Sequence, residues 1–390
     1  MGQAVNRPVL LVSHGFQPNY EKAFANGLAR NGVPVTIVTS SRSLAKELDP
    51  GIRTVPLRGS QDPHRSRFKK AWGLLVYTAR LYAFLATCPR RALHLTGMFI
   101  TASVPLGLLE ILGYRLLSRR LLLTVHNLLP HDQHTWWNKQ IMRLVYRIPD
   151  QLIVHTEKMR ETLLTEWTMQ PDKVVVMEHG VDTLPKNPQP WQPDAEGRLR
   201  LLMFGAVSRY KGIDIALEAL RNFPDFPVTL SIVGACKDAR LAAELGKLVA
   251  DIPAPHCVTW RRDYVEESAV QGVFESADAV LLPYRHIDQS GVLLTAYRFG
   301  IPVLAFDVGS FAHYVTPETG IVLTERTATG LQQGMRMLRA RLGQFDREKV
   351  RDIARKHLWE NTVGVLLPLY SLDAHASVSA ARADTDLLRR

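Results

Sequence analysis

The sequence predicts an α/β protein made of two doubly wound parallel-sheet domains, and three observations carry that prediction. Short apolar runs recur between helical patterns, a proline-rich stretch divides them into two series, and 390 residues exceed what a single core usually organises. Strands that alternate with helices feed parallel sheets covered on both faces, so each run is nearly continuous in Val, Ile and Leu. A hydrophobic content of 46% is enough to fill two cores.

In the first series, strands are expected at 9–12, 33–38, 92–95, 121–125, 151–154 and 174–177. The segment 183–197, TLPKNPQPWQPDAEG, has prolines at 185, 188, 190 and 193 and no apolar periodicity, which marks an interdomain linker. The second series places strands at 199–204, 228–233, 257–260, 279–282, 303–306 and 321–323, with helices such as 212–221 and 239–250 between them. Domain boundaries follow at 1–183, 184–198 for the linker, and 199–345 for the second Rossmann-like domain. After Gln344 the chain reads as helix through Tyr370, and 371–390 turns polar and Ala/Asp/Arg-rich, a flexible tail. Ligands of such sheets bind at the carboxyl ends of strands, and a cleft between the domains is the expected site.

The net charge of +11 sits in the first half: residues 1–182 carry 23 basic and 13 acidic side chains. Between Arg53 and Arg120, 12 basic residues face only Asp62 and Glu110, interleaved with Trp72, Tyr77, Tyr82 and Phe84. The segment 64–82 reads either as a solvated basic helix or as one that meets an anionic membrane surface. The run 71–88 is too short to span a bilayer, and 97–117, with Pro105, Glu110 and Arg115, reads as a core helix. No nucleic-acid motif accompanies the charge, so no nucleic-acid partner is expected. Three scattered cysteines make neither a disulfide framework nor a metal cluster. The first residues match neither a secretory leader nor a myristoylation signal, which predicts a cytoplasmic protein, peripheral on the inner face of a membrane.

Several loops carry candidate chemistry. In 281–310, LLPYRHIDQSGVLLTAYRFGIPVLAFDVGS, a strand turns through Ser290-Gly291 into a helix whose free N–H groups and positive end suit a phosphate. In FGAVSRYKG, Arg209 and Lys211 stand beside the Gly205 loop, where two cations can neutralise a diphosphate leaving group. His126-Asn127 follows one strand directly, His14-Gly15 follows the first, and His179 lies in EHGVD after the last strand of its domain. HExxH, GxSxG, a Walker loop and GxGxxG are all missing from the sequence, so the metalloprotease, hydrolase, P-loop kinase and classical dehydrogenase readings lose support.

Taken in order, TVHN (124–127), VHTE (154–157), HGVD (179–182), GAVSRYKG (205–212), ADAVLLPYR (277–285) and SGVLLTAYRFGIPVLA (290–305) resemble the family 4 retaining glycosyltransferases of the GT-B fold. The resemblance covers nearly the whole chain. It implies that Lys211 binds the donor diphosphate, with Arg209 beside it, and that His126 contacts the donor sugar near the reaction centre. Gly205, Asp288, Gln289, Ser290, Gly291, Val292, Thr295 and His179 would complete the donor site, and His14, Gly15 and Asn127 would lie on the acceptor side. It also implies that helices in 346–370 return to the first, acceptor-binding domain. Retention in this family is attributed to front-face displacement assisted by the leaving phosphate, with no metal and no cofactor beyond the nucleotide diphosphate sugar itself. Two departures stand out. Ala206 replaces the arginine usual after the loop glycine, and the paired acids of the family fall at Ile287 and Thr295. The expected activity is transfer of a hexose-type sugar to a glycan or lipid-linked acceptor in polysaccharide or glycolipid biosynthesis; the alternative is a non-catalytic subunit or binding module on the same fold.

Overall fold

The computed structural model describes residues 8–62, 64–88, 91–98, 106–128, 136–263 and 265–370. The expectations for a leader and for the tail 371–390 fall outside the described residues. The chain divides between Gly180 and Val181 and again between Leu358 and Trp359, giving two compact units.

The first unit runs β1 (Val9–Val12), α1 (Pro18–Arg30), β2 (Val35–Ser40), β3 (Arg53–Arg58), α2 (Arg67–Thr87), β4 (Ala92–Leu95), α3 (Leu106–Leu117), β5 (Arg120–Val125), α4 (Trp136–Arg147), β6 (Gln151–Val154), α5 (Glu157–Thr165) and β7 (Val174–Val176). Its seven strands pair in parallel in the order β3-β2-β1-β4-β5-β6-β7. β1, β4 and β6 are buried at every position, as strands with helices on both faces must be. β3, RTVPLR, is the strand that the apolar pattern does not announce: it is exposed or half-buried throughout and carries Pro56. It lies at the sheet edge, where a missing N–H costs little.

The second unit continues with β8 (Leu199–Phe204), α6 (Ile213–Arg221), β9 (Val228–Val233), α7 (Ala239–Ala250), β10 (Cys257–Arg261), α8 (Glu267–Glu275), β11 (Ala279–Leu282), α9 (Gly291–Arg298), β12 (Val303–Phe306), α10 (Phe311–Tyr314), β13 (Gly320–Leu323), α11 (Ala328–Arg341) and α12 (Arg347–Lys356). Six parallel strands order as β10-β9-β8-β11-β12-β13. Residues 184–198 form neither helix nor strand, yet Trp191 Nε1 donates to the buried Asp278 carboxylate at 2.7 Å, which fastens this stretch to the second unit.

The helical segment 346–370 is divided. α12 stays in the second unit against α9, and Val181 N–H donates to His357 O at 2.7 Å where the helix ends. From Trp359 the chain belongs to the first unit, as α13 (Trp359–Thr362) and α14 (Leu367–Tyr370). Trp359 meets Tyr20 edge-on at 4.9 Å and Phe24 at 5.6 Å, over Gly27 and Gly180, where any side chain would collide with it. His94 on β4 is fully buried, with Nδ1 2.7 Å from Tyr370 Oη and Nε2 2.7 Å from Thr124 Oγ1. Arg120 adds a bond from its guanidinium to Leu369 O at 2.9 Å.

The run 97–117 departs from its core-helix reading. Within the described residues the helix is α3, and Leu109, Leu112 and Leu116 on it are exposed while Ile111 and Tyr114 are buried. A hydrophobic run shows no polar face, so the sequence does not tell which of its sides the fold covers.

Two predictions follow from the return segment. Gly27→Ala brings a methyl group to 2.8 Å from Trp359 Cβ, and is expected to cost about 1–3 kcal/mol in denaturant unfolding, whereas Gly51→Ala, with nothing within 4 Å, serves as a neutral control. Burial, and secondarily His126, lower the His94 pKa from 6.5 to about 3. The unfolded chain therefore takes up this proton first; the stability is full above pH 6.5 and is lost as pH falls from 6.5 towards 3, at roughly 1.4 kcal/mol per unit. His94→Gln, which keeps a donor and an acceptor, is expected to remove one proton from that slope in stability measured between pH 7 and 4.

Candidate active site

In each sheet the strand order reverses at one place, between β1 and β4 in the first unit and between β8 and β11 in the second. Loops leaving neighbouring carboxyl ends diverge there and open a crevice. In the second unit the loop after β8 begins with Gly205, at φ +89, and the 3-10 turn of Arg209–Lys211 ends at Gly212, at φ +66. Gly212 lies so close to Pro283 O that a side chain has no room, which brings the β8 and β11 loops together. Lys211 folds back beneath this turn. Its Nζ donates to Phe204 O at 2.7 Å and lies 5.8 Å from the Tyr284 ring centre, with 6% of the residue exposed. Burial lowers its pKa from 10.5 to about 8, so the ammonium is retained at neutral pH. A Cβ on Gly205 would stand 3.0 Å from Lys211 Nζ and 3.8 Å from Val292 Cγ2, so these three residues converge.

Ser290 precedes α9 as a buried N-cap whose side chain makes no capping bond, and Gly291 opens the helix. Leu293 N–H donates to Ser290 O at 3.2 Å, and no side chain caps the first turn of α9, an arrangement that suits an anion. Thr295 Oγ donates to Gly291 O at 2.7 Å, leaving its lone pairs as acceptors. Gln289 Nε2 and Ser310 Oγ are buried with no hydrogen-bond partner among the described residues. Ile287 packs into the core of the unit, and its carbonyl faces Gly309, at φ +57, closely enough to exclude a side chain. Arg209, by contrast, is exposed and held by Glu244 in a two-pronged pair at 2.7 and 3.2 Å. Its sequence neighbour Lys211 is turned inward while Arg209 is turned to solvent. Arg285 reaches the Arg209 carbonyl at 2.8 Å and pairs with Asp214 at 2.7 Å.

In the first unit, His126, His155 and His179 follow β5, β6 and β7 and surround Tyr20, at ring separations of 4.8, 6.0 and 5.6 Å. His126 Nε2 lies 2.8 Å from Thr96 O, and His155 Nδ1 lies 2.9 Å from Met177 O. A carbonyl only accepts, so these nitrogens carry the protons, and His126 presents Nδ1 as an acceptor. Burial lowers the pKa of His126, and burial plus the neighbouring histidines lowers that of His155 well below 6.5. His126 and His155 are therefore neutral at pH 7. The Asn127 carbonyl accepts from Tyr146 Oη at 3.3 Å.

His14, at φ +60, has a buried ring, with Nδ1 2.7 Å from Tyr77 Oη and Nε2 3.6 Å from Glu110. Arg58 and Gln61 hold its carbonyl, and burial then Arg58 push its pKa to about 3. Gly15, at φ +67, packs on Ser40 with no room for a side chain. What this loop offers a ligand is its backbone turn rather than the imidazole.

The sequence-derived residues thus fall into separate groups: Gly205, Lys211 and Val292; Asp288, Gln289, Ser290, Gly291 and Thr295 around the start of α9; His126 with His179; and His14 with Gly15. Sequence reasoning passed over Tyr20, His155, Trp359, Tyr284 and Ser310 as site neighbours. His155 was visible within VHTE, but Tyr20 and Trp359 are apolar-surface residues until the fold sets them against the histidines.

Residues 19–183 match the model described as Glycosyltransferase Family 4, and residues 198–340 match that described as Glycosyl transferases group 1. A GDP-mannose:glycolipid 4-beta-D-mannosyltransferase of Xanthomonas campestris pv. campestris is 26% identical over 230 residues, 54% of this chain and 57% of that protein. The chain thus spans little more than half the length of the curated relatives that it matches first. Among solved structures, sucrose-phosphate synthase from Thermosynechococcus elongatus superposes with a TM-score of 0.69 at 17% identity, covering 96% of this chain and 100% of that one. Anabaena HepE in complex with UDP-glucose gives 0.65 at 14% identity, covering 92% and 96%. These likenesses establish the architecture, and with both family matches in order along the sequence, the chain belongs to the family 4 type glycosyltransferases of the GT-B fold.

Proposed function

We propose that this protein transfers a hexose from a nucleoside diphosphate donor to a glycan or lipid-linked acceptor. Lys211 is the observation that carries the reading. It is a buried ammonium whose one hydrogen-bond partner among the described residues is a carbonyl, and burial alone accounts for its lowered pKa. An uncompensated cation in such a place costs stability, and a diphosphate offsets that cost by supplying the missing negative charge. As the sugar–oxygen bond breaks, the leaving diphosphate gains charge, and Lys211 with the N–H groups of α9 stabilises it. Arg209 contributes to the field of the site through its position rather than by a direct contact with Lys211. His126, neutral with Nδ1 as an acceptor, orients a sugar hydroxyl. Neither step needs a metal or a further cofactor.

The relative from Xanthomonas is named for GDP-mannose, a glycolipid and a β-linkage. Mannose is accordingly the first sugar to assay and a lipid-linked saccharide the first acceptor. A second stereochemical reading also has support. Where a donor phosphate is α-linked, a β product requires inversion, and Ile287 and Thr295 stand in place of the acids of the retaining family.

Incubation with GDP- and UDP-hexoses and a lipid-linked acceptor is expected to give a glycosylated product, and Lys211→Ala to lower kcat/KM by about 10²–10³. Proton coupling at the new anomeric centre assigns retention or inversion. Nucleotide binding with every donor left intact would overturn the enzyme reading in favour of a binding module.

The same lysine makes a stability prediction. Its folded pKa, about 8, lies below the unfolded value of 10.5, so its cost is fully present below pH 8 and disappears as pH rises to 10.5. Lys211→Met is expected to raise the stability of the nucleotide-free protein at pH 7 by up to about 3 kcal/mol while weakening UDP or GDP binding at least tenfold. Melting curves at pH 7 and 10.5, with and without nucleotide, check both halves.

A further inference from the structure

Of the 13 large hydrophobic side chains exposed on the described residues, ten lie on α2, α3 and α4. α3 packs beside both other helices, and Tyr82 of α2 stacks on Tyr114 of α3 at 5.6 Å. The inner sides of all three enter one core: Tyr77, Leu81 and Leu85 from α2, Ile111 and Tyr114 from α3, Met142, Val145 and Tyr146 from α4. Each helix carries a second apolar stripe on the opposite side. Phe68, Trp72 and Leu75 follow helical spacing on α2, as do Leu109, Leu112 and Leu116 on α3 and Trp137 and Leu144 on α4. Phe68 is 90% exposed, Leu116 71% and Trp137 70%, values that belong to side chains with no protein neighbour on their outer side.

Charge says what covers them. The three helices hold eight basic residues (Arg67, Lys69, Lys70, Arg80, Arg115, Lys139, Arg143 and Arg147) and a single acid, Glu110, which is buried. Arg119 and Arg147 come three residues after Leu116 and Leu144, at the margin of the stripes. An outer surface that is apolar, aromatic and basic complements the headgroup region of an anionic leaflet, where indole rings settle at the interface and ammonium and guanidinium groups meet phosphates. Among the described residues no helix is long and apolar enough to cross a membrane, so contact by this face is in the plane of the interface.

We propose that α2, α3 and α4 together form one membrane-docking face for an anionic lipid surface. The proposal deepens the lipid-linked acceptor reading by naming where the protein meets the lipid phase. It is tested by binding alone, so it stands or falls separately from any transferase activity.

The full chain is sedimented with phosphatidylcholine vesicles, with and without 30 mol% phosphatidylglycerol, at low and high salt. Pelleting is expected with the anionic vesicles, reduced several-fold at high salt. Trp72→Ser, Leu112→Ser and Trp137→Ser, one on each helix and all on the outer surface, are each expected to weaken partitioning at least threefold with an unchanged circular dichroism spectrum and melting point. Lys69→Gln with Lys70→Gln should lower it further and flatten the salt dependence. The proposal is overturned if folded protein ignores anionic vesicles, or if only the α2 variant matters. Loss of concentration-dependent self-association in Leu112→Ser or Trp137→Ser, with vesicle binding intact, would assign the face to a second copy of the chain instead.

Discussion

Every strand that pairs in these two sheets pairs in parallel, and that constraint shapes the rest of the molecule. A parallel neighbour cannot be reached by a tight turn, so each strand must be followed by a crossover that lies on one face of the sheet. Crossovers on both faces bury the strands fully and demand continuous apolar runs. They also send all the strand-to-helix loops to one edge, where the order reverses between β1 and β4 and between β8 and β11. Lys211, Gly205 and the start of α9 are gathered at the second reversal, and the His14 turn lies at the first. The chemistry sits where topology leaves backbone N–H groups and polar side chains without strand partners.

Those positions are energetically poor in the absence of ligand. Lys211 keeps a charge that burial disfavours, and Gln289 and Ser310 bury polar atoms without partners among the described residues. Each such group costs on the order of 1–3 kcal/mol, which the large cores of both units can offset. Groups left unsatisfied in the same region as a helix N-terminus are the ones that the proposed anionic occupant would satisfy. The histidine cluster in the first unit obeys the opposite logic. His126 and His155 each give one ring N–H to a backbone carbonyl, and burial disfavours a second proton, so these rings contribute hydrogen-bond geometry and exclude positive charge.

What could be read from the sequence depended on how strongly each signal was tied to burial. The strands with unbroken Val, Leu and Ile runs were legible, and so was the glycine-led helix at Ser290-Gly291, because both follow from local steric and packing rules. β3 was not, since an edge strand with Pro56 and two arginines has no inner pattern to show. Arg209 and Lys211, two residues apart, look alike in sequence, and only the 3-10 turn decides that one side chain is buried and the other pairs with Glu244. The outward stripe of α3 was hidden for a related reason. A helix that is apolar on both sides gives the same pattern whether it is wholly buried or half covered by protein and half by something else.

The two missing acids illustrate how such a site can shift its grip. A carboxylate near a sugar hydroxyl makes a strong, charge-assisted hydrogen bond, but it also adds negative charge near a diphosphate. With Ile287 packed against the core and Thr295 bonded to its own helix, neither position adds negative charge near α9, although the Asp288 carboxylate stays beside the helix start. On the proposed donor reading the sugar would lose two charged acceptors, and the neutral groups of Gln289 and Ser310 are buried without partners among the described residues. On that reading, binding energy would reside more in the diphosphate than in the sugar. A hydrogen bond to a neutral partner is worth roughly half of a charged one, so under the proposed function discrimination among hexoses would weaken while affinity for the nucleotide moiety would be preserved. On this physical balance, the proposed site would differ in what it selects more than in whether it can stabilise a departing phosphate.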